Sequence, residues 1–293
     1  MQLLLSGVIS GVAIGLLYGL LGFAIVVLYK CTSVANFAQG NLGAVATFLV
    51  FQLLVLARFG LVLALALGLV ISALVGAACY FFAIRPKPEA GHLNVTMRTL
   101  GLYLLLLAIM NVAWGKYQPY TFPAVFSSEA ALTIADVNIS WLTVGTLLIA
   151  LAMAAAFETF FRRTDLGLMF LAVAENPAVA SLLGVNTRKV TVLAWAISSV
   201  VAYVIAVLVV PVTLLSSTMM DLYLLLAFTS AIIGGLNNIY GPFLGGLLVG
   251  VVYNVAAIQW SRDAAVACVF VLLLAVMMFR PSGILSSART ERL

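Results

Sequence analysis

The sequence predicts an all-α fold, a polytopic transmembrane helical bundle of about 8–10 membrane segments. Three observations predict it. The chain is 65% hydrophobic and only 8% charged, with a mean hydropathy of +1.23, whereas a soluble domain carries about a quarter charged residues. No Asp, Glu, Lys, Arg or His lies within the runs 5–29, 59–84, 99–115, 190–220 and 222–261. Those that remain concentrate in the 158–189 segment, as Glu158, Arg162, Arg163, Asp165, Glu175, Arg188 and Lys189. With 293 residues at roughly 20 per crossing, the chain is expected to be a single membrane domain over 1–293, with no length left for a soluble catalytic domain.

The expected spans, in order, are 5–28, 39–56, 61–84, 99–114, 141–157, 190–212, 222–236, 242–260 and 264–279. Met1 to Leu28 lacks a basic leader and an Ala-x-Ala cleavage site, so it is expected to be a retained first span. Within it Gly7, Gly11, Gly15 and Gly19 recur every fourth residue. Such a ridge lets two helices approach closely where lipid is as apolar as leucine, and packing within the chain is preferred to a subunit interface.

Sidedness follows from the basic loops. Segment 158–189, segment 85–98 (Arg85, Lys87, Arg98) and the tail (Arg280, Arg289, Arg292) are expected in the cytoplasm. The 115–140 connection, with Lys116 against Glu129 and Asp136, and the 213–221 loop, with only Asp221, are expected outside the cell. The N-terminus then lies outside, the C-terminus inside, and the number of crossings is odd. The net charge of +5 marks the cytoplasmic side and is no nucleic-acid footprint.

Chemistry-bearing patterns are scarce. His92 is the one histidine and is expected in a solvated loop, unable alone to make a metal site or proton relay. Cys31, Cys79 and Cys268 are far apart and match no metal or redox spacing. No Ser/His/Asp set, P-loop or pair of intramembrane carboxylates occurs, so the chain is not expected to be an enzyme. With no ionisable group to spare inside the apolar runs, its energy source is expected elsewhere.

Two polar interruptions carry more information. Asn36-Phe37-Ala38-Gln39-Gly40-Asn41-Leu42-Gly43 lies between the first two apolar runs, and Gly234-Gly235-Leu236-Asn237-Asn238-Ile239-Tyr240-Gly241-Pro242 lies near the other end. Paired Gly/Pro-interrupted segments point to inverted repeats with broken or re-entrant helices around a central site. The candidate pathway residues are therefore Asn36, Phe37, Gln39, Gly40, Asn41, Asn237, Asn238, Tyr240 and Gly241. Ordinary loops at the membrane surface are the other reading of both segments.

Inside 158–189, Asn176 suits an N-cap, Pro177 the first helical position and Gly184 a C-terminal stop. A short helix over 177–183 follows. It presents Val179, Leu182 and Leu183, with Glu175 just before its positive end. Exposed apolar residues on a short cytoplasmic helix lie on the bilayer interface or fill a groove in a partner.

These elements, taken together, resemble the permease subunits of branched-chain amino acid ABC transporters and their urea and amide relatives, most of all the shorter of the two paired permeases. The resemblance rests on Gly15-Leu16-Leu17-Tyr18-Gly19-Leu20, the Asn36–Gly40 box, Ala174-Glu175-Asn176-Pro177 through Asn186, Gly234-Gly235-Leu236 through Gly245-Gly246, and Phe279-Arg280-Pro281-Ser282-Gly283-Ile284-Leu285. It implies a multi-pass protein of the bacterial inner membrane. The chain would pair with a second homologous permease, two cytoplasmic ATPase subunits and an extracytoplasmic solute-binding protein. It also implies that ATP and Mg are held by the partner subunits, with no cofactor on this chain, and that Glu175, Asn176, Pro177, Val179, Leu182, Leu183 and Gly184 form the ATPase coupling segment. The chain departs from the family at 167–174, which lacks the arginines usual there, and at Asn41, where relatives often carry an acid. A urea, amide or other small organic solute, a passive channel or facilitator, and a secondary transporter using backbone-coordinated Na⁺ are the alternatives.

Overall fold

The computed structural model describes residues 2–83, 92–134 and 137–285. Arg85, Lys87, Asp136, Arg289 and Arg292, on which the expected sidedness partly rests, lie outside the described residues. The helices are α1 (Gln2–Thr32), α2 (Gln39–Val55), α3 (Leu61–Ala83), α4 (His92–Trp114), α5 (Trp141–Arg163), α6 (Asp165–Glu175), α7 (Pro177–Leu182), α8 (Thr187–Thr213), α9 (Asp221–Gly234), α10 (Gly241–Gln259) and α11 (Arg262–Phe279). Among the described residues, seven helices are long and apolar enough to cross a membrane, and α2 and α9 are shorter apolar helices. At 17 and 14 residues, they reach about 26 and 21 Å, short of the roughly 30 Å hydrocarbon core.

The helical bundle agrees with the sequence expectation, and the boundaries move for physical reasons. His92 opens α4 rather than lying in a loop, since a polar residue in the first turn of a helix leaves the backbone ladder intact. The end of α5 runs on through its Glu158–Arg162 ion pair, a spacing that suits a helix. In the 115–140 connection, a 3₁₀ turn at Gly115–Tyr117 leads to an antiparallel hairpin of β1 (Ala130–Ile134) and β2 (Val137–Ser140). That is a small strand element in a chain expected to be all helix. The alternation of apolar and polar residues in Leu132-Thr133-Ile134 and Val137-Asn138-Ile139 is its signature.

The chain forms two compact units. The first comprises residues 1–26, 126–156 and 225–293. There the glycines of α1 face α10. A Cβ on Gly11 would lie 2.8 Å from the Val251 Cα, one on Gly15 2.6 Å from the Gly246 carbonyl oxygen, and one on Gly19 3.0 Å from the Phe243 Cα. Gly7 faces Val255 and Ile258 on the same helix. Gly246 and Gly250 of α10 return the contact against Gly15, Gly19 and Gly11, so two smooth ridges meet backbone to backbone. Dispersion at that distance holds the pair, since burial from lipid supplies no hydrophobic gain.

The second unit comprises 27–125 and 157–224. Its centre is α8, with Trp195, Val201, Ala202, Tyr203, Ile205 and Ala206 buried. Gly43 of α2 lies against the Ala202 and Tyr203 backbone, and Gly76 of α3 against Trp195 and Ser199. The Tyr203 side chain crosses over Gly68, and its hydroxyl donates to the Leu65 carbonyl at 3.1 Å. Small residues on α2 and α3 thus let both helices close onto α8.

Candidate functional site

The Asn36–Gly43 box lies in the second unit and is a folded break between α1 and α2, with Asn36, Gln39 and Asn41 all buried. Its polar atoms are matched locally. The Asn36 side-chain oxygen accepts from the Ala38 N–H at 3.0 Å, and its amide donates to the Gln39 Oε1 at 3.1 Å. The Gln39 amide donates onward to the Ser198 carbonyl of α8 at 2.7 Å. A buried amide without such partners would cost about 1–3 kcal/mol, so the network fixes where α2 begins.

The same box is tied to α4. The Thr99 hydroxyl lies 3.1 Å from the Ala35 carbonyl, the Phe37 N–H donates to Thr99 Oγ1 at 3.4 Å, and the Asn41 amide donates to the Tyr103 carbonyl at 3.0 Å. Tyr103 is the middle residue of α4, so the first turn of α2 starts near the midpoint of a membrane-length helix rather than at its end.

A second break meets the first at this level. Leu215 pairs with Tyr120, beyond the C-terminal end of α4. The Ser217 hydroxyl then bonds the Asn111 side chain at 3.0 Å, and the Ser217 N–H bonds the Gln118 Oε1 at 2.8 Å. Four residues later, the Tyr103 hydroxyl donates to the Asp221 carboxylate at 3.3 and 3.4 Å. Contacts that move from Asn111 to Tyr103 take the chain down along α4 toward its middle. Gly40 completes the junction, since a Cβ there would lie 3.1 Å from the Met220 Cβ. Asp221 ends the 213–221 connection as the first residue of α9, and its carboxylate stands against Tyr103 of α4, partly exposed.

The Asn237–Gly241 segment belongs to the first unit and is built differently. It is a tight turn from α9 into α10, braced by the chain after α11. The Asn238 amide donates to the Leu285 carbonyl at 3.0 Å, and its side-chain oxygen accepts from the Tyr240 N–H at 2.9 Å. The Ile284 N–H reaches the Ile233 carbonyl at 2.9 Å. Gly235 and Gly283 are in close contact, both with left-handed φ, at 104° and 90°. Asn237 and Tyr240 are exposed and Gly241 is buried.

The 158–189 segment is almost entirely helical. Thr164 caps α6 by accepting from the Gly167 N–H at 3.0 Å. Asn176 caps α7 by accepting from the Ala178 and Val179 N–H groups at 3.0 and 3.1 Å, with Pro177 at its first position. At the far end, the Gly184 N–H bonds the Ser181 carbonyl and the Val185 N–H bonds the Ala180 carbonyl, with Gly184 at φ 85°. This is a Schellman closure, and α7 ends one residue before the expected 183. Ala180 is buried while Val179, Leu182 and Leu183 are exposed, Leu182 by 87% and Leu183 by 77%. Glu175 is also exposed.

Tyr103, Thr99 and Asp221 are the residues that sequence reasoning missed. The available signal was Asp221 itself, a lone acid between the charge-free runs 190–220 and 222–261.

Long apolar helices, two broken ones that meet halfway along a third, and a capped charged segment define a multi-pass membrane permease. A family model described as "Branched-chain amino acid transport system / permease component" matches residues 7–278, and the chain belongs to that family. It is similar to the high-affinity branched-chain amino acid transport system permease protein BraD of Pseudomonas aeruginosa, at 26% identity over 98% of this chain and 97% of that protein. LivH of Salmonella typhimurium, with the same description, is 24% identical over 98% and 97%. Among solved structures, PsaBC from Streptococcus pneumoniae in complex with Fab aligns with a TM-score of 0.49 and 13% identity, over 95% of this chain and 91% of that one.

Proposed function

We propose that this chain is one permease subunit of an ATP-driven importer in a bacterial inner membrane, forming half of the pathway for branched-chain amino acids. It pairs with a second homologous permease. Two cytoplasmic ATPase subunits hold ATP and Mg, and an extracytoplasmic binding protein delivers the solute. The N-terminus lies outside and the C-terminus inside, which puts the charged 158–189 segment in the cytoplasm. The family membership and the names of BraD and LivH support the solute class.

The observation that carries the reading is α7. Capped at both ends, it leaves two adjacent leucines exposed on the chain, and left in water they would cost free energy unless a partner groove covered them. In this reading Glu175 to Gly184 dock into an ATPase cleft, and the buried Asn36, Gln39, Gly40 and Asn41, with Phe37, form the wall of the broken-helix junction behind the pathway. Asn237, Asn238, Tyr240 and Gly241 shape the α9–α10 turn beside it in sequence.

Deleting 177–183 from the chain in the assembled transporter is the test. ATP-driven leucine uptake into proteoliposomes is lost while membrane insertion persists. Unchanged uptake overturns the docking role, and leucine flux through the purified chain alone, without ATP, makes it a passive channel.

A further inference from the structure

We propose that Asp221, with Tyr103 set against it, is the point in the pathway that takes the α-ammonium group of a zwitterionic solute. The inference rests on the importer reading above and adds to it a charged recognition residue.

Depth is the first ground. Asp221 bonds the side chain of Tyr103, the middle residue of α4, a helix of 23 residues, whose Cα lies about 16 Å from either helix end. An ionised carboxylate at that depth is costly; its place in the first turn of α9 offsets part of the cost, and a cation arriving from a polar pathway would neutralise the charge that is left. Among the described residues no basic side chain forms an ion pair with it.

Geometry is the second ground. Burial leaves Asp221 and Tyr103 partly exposed, while Asn36, Gln39 and Asn41 behind them are closed off. The Tyr103 hydroxyl spans both carboxylate oxygens at 3.3 and 3.4 Å, longer than a strong charge-assisted bond. It orients the group while leaving acceptor lone pairs for a second donor.

Chemistry selects the occupant. An ammonium offers three donors and one positive charge, which suits one carboxylate. A divalent metal would want several anionic or imidazole ligands, and the described residues hold no group of three His, Cys, Asp or Glu that could supply them.

The test uses the complete transporter in proteoliposomes with leucine. In Asp221→Asn the maximal uptake rate falls about 10-fold or more, the worth of a hydrogen bond to a charged group. Half-saturation, governed by delivery from the binding protein, stays within about 2-fold of the wild type. Asp221→Glu restores part of the rate, and Tyr103→Phe causes a smaller loss.

A second measurement does not depend on those variants being active. Thr218→Cys, exposed one turn before Asp221, reacts faster with a cationic thiosulfonate than with an anionic one of similar size. Leucine slows the cationic reaction, and Asp221→Asn in the same background removes the preference.

Near-normal uptake in Asp221→Asn, absence of any charge preference at Thr218→Cys, loss of the paired permease from the purified complex, or sodium-dependent uptake each overturns the inference. If the wild-type complex itself fails to take up leucine, it is the importer reading that falls.

Discussion

Gly43 of α2 and Ala202 of α8 touch backbone to backbone: a Cβ on Gly43 would lie almost on the Ala202 carbonyl and 2.9 Å from the Tyr203 nitrogen. Neither neighbour is the free end of a side chain, so neither can yield. Gly43→Ala therefore overpacks the α2–α8 contact and costs about 1–3 kcal/mol. Gly101, on the exposed face of α4 with nothing near its Cβ position, is the control: Gly101→Ala is neutral or gains about 0.5–1 kcal/mol from helix propensity. Thermal unfolding of the two variants in detergent checks the contrast, and equal midpoints would remove the packing explanation.

The Gln39 side chain joins Asn36 to α8. Gln39→Leu keeps most of the volume but strands the buried Asn36 amide, a loss of about 1–3 kcal/mol. Because Asn36 sets the start of α2, uptake also falls. Asn36→Ser in the Gln39→Leu background shrinks the stranded group, and the unfolding midpoint recovers part of the loss.

Ser199 is the converse case. Its hydroxyl is fully buried without a hydrogen-bond partner, as is the Trp195 indole nitrogen one turn earlier. Removing an unpaired polar atom relieves its desolvation penalty, so Ser199→Ala leaves the unfolding midpoint unchanged or raises it. A drop comparable to that of Gln39→Leu would mean that water fills the place.

How much of this was legible from the residues depends on what each feature needed. The apolar runs, the cap at Asn176 and the stop at Gly184 are local, and they are readable because propensity and capping act within a few residues. The Asn36–Gly43 break is local too. Its partner is not. Asn237–Gly241 shares its Asn-x-x-x-Gly spacing, yet the segment that meets the box in the second unit is 214–221, which shares no pattern with it. That pairing comes from three-dimensional packing of Gly40 on Met220. Asp221 reads as a loop acid for the same reason: hydropathy windows see one polar residue between two apolar runs, and they contain nothing about which way the chain turns. The hairpin at 130–140 was hidden inside a connection defined only by its low apolar content.

The apolar tip of α7 gives a prediction on function without stability. Leu182 and Leu183 are exposed and make no core contact of consequence, so Leu182→Asp with Leu183→Asp leaves the unfolding free energy within about 0.5 kcal/mol of the parent. In the assembled transporter the same pair disrupts docking, and uptake and solute-stimulated ATP hydrolysis fall together. Ala180, buried on the opposite side, behaves in the other sense: Ala180→Asp destabilises the chain itself. Retained uptake in the leucine double variant would assign α7 to the bilayer surface instead of a protein groove.

The two ends of α7 can be separated by the same logic. Asn176→Ala removes the acceptor for the Ala178 and Val179 N–H groups and costs about 1 kcal/mol of local stability. Gly184→Ala puts a Cβ on a left-handed residue at φ 85°, a strain of about 1–2 kcal/mol. Both changes act on the ends of α7 and leave Leu182 unaltered. Both variants therefore speed amide exchange across 177–183 in the isolated chain, while leaving exchange in α8 beyond Val190 unchanged. In the complex, a docked groove holds the helix formed, and the acceleration shrinks. If exchange in α7 were as fast in the complex as in the isolated chain, the segment would not be clamped by any partner.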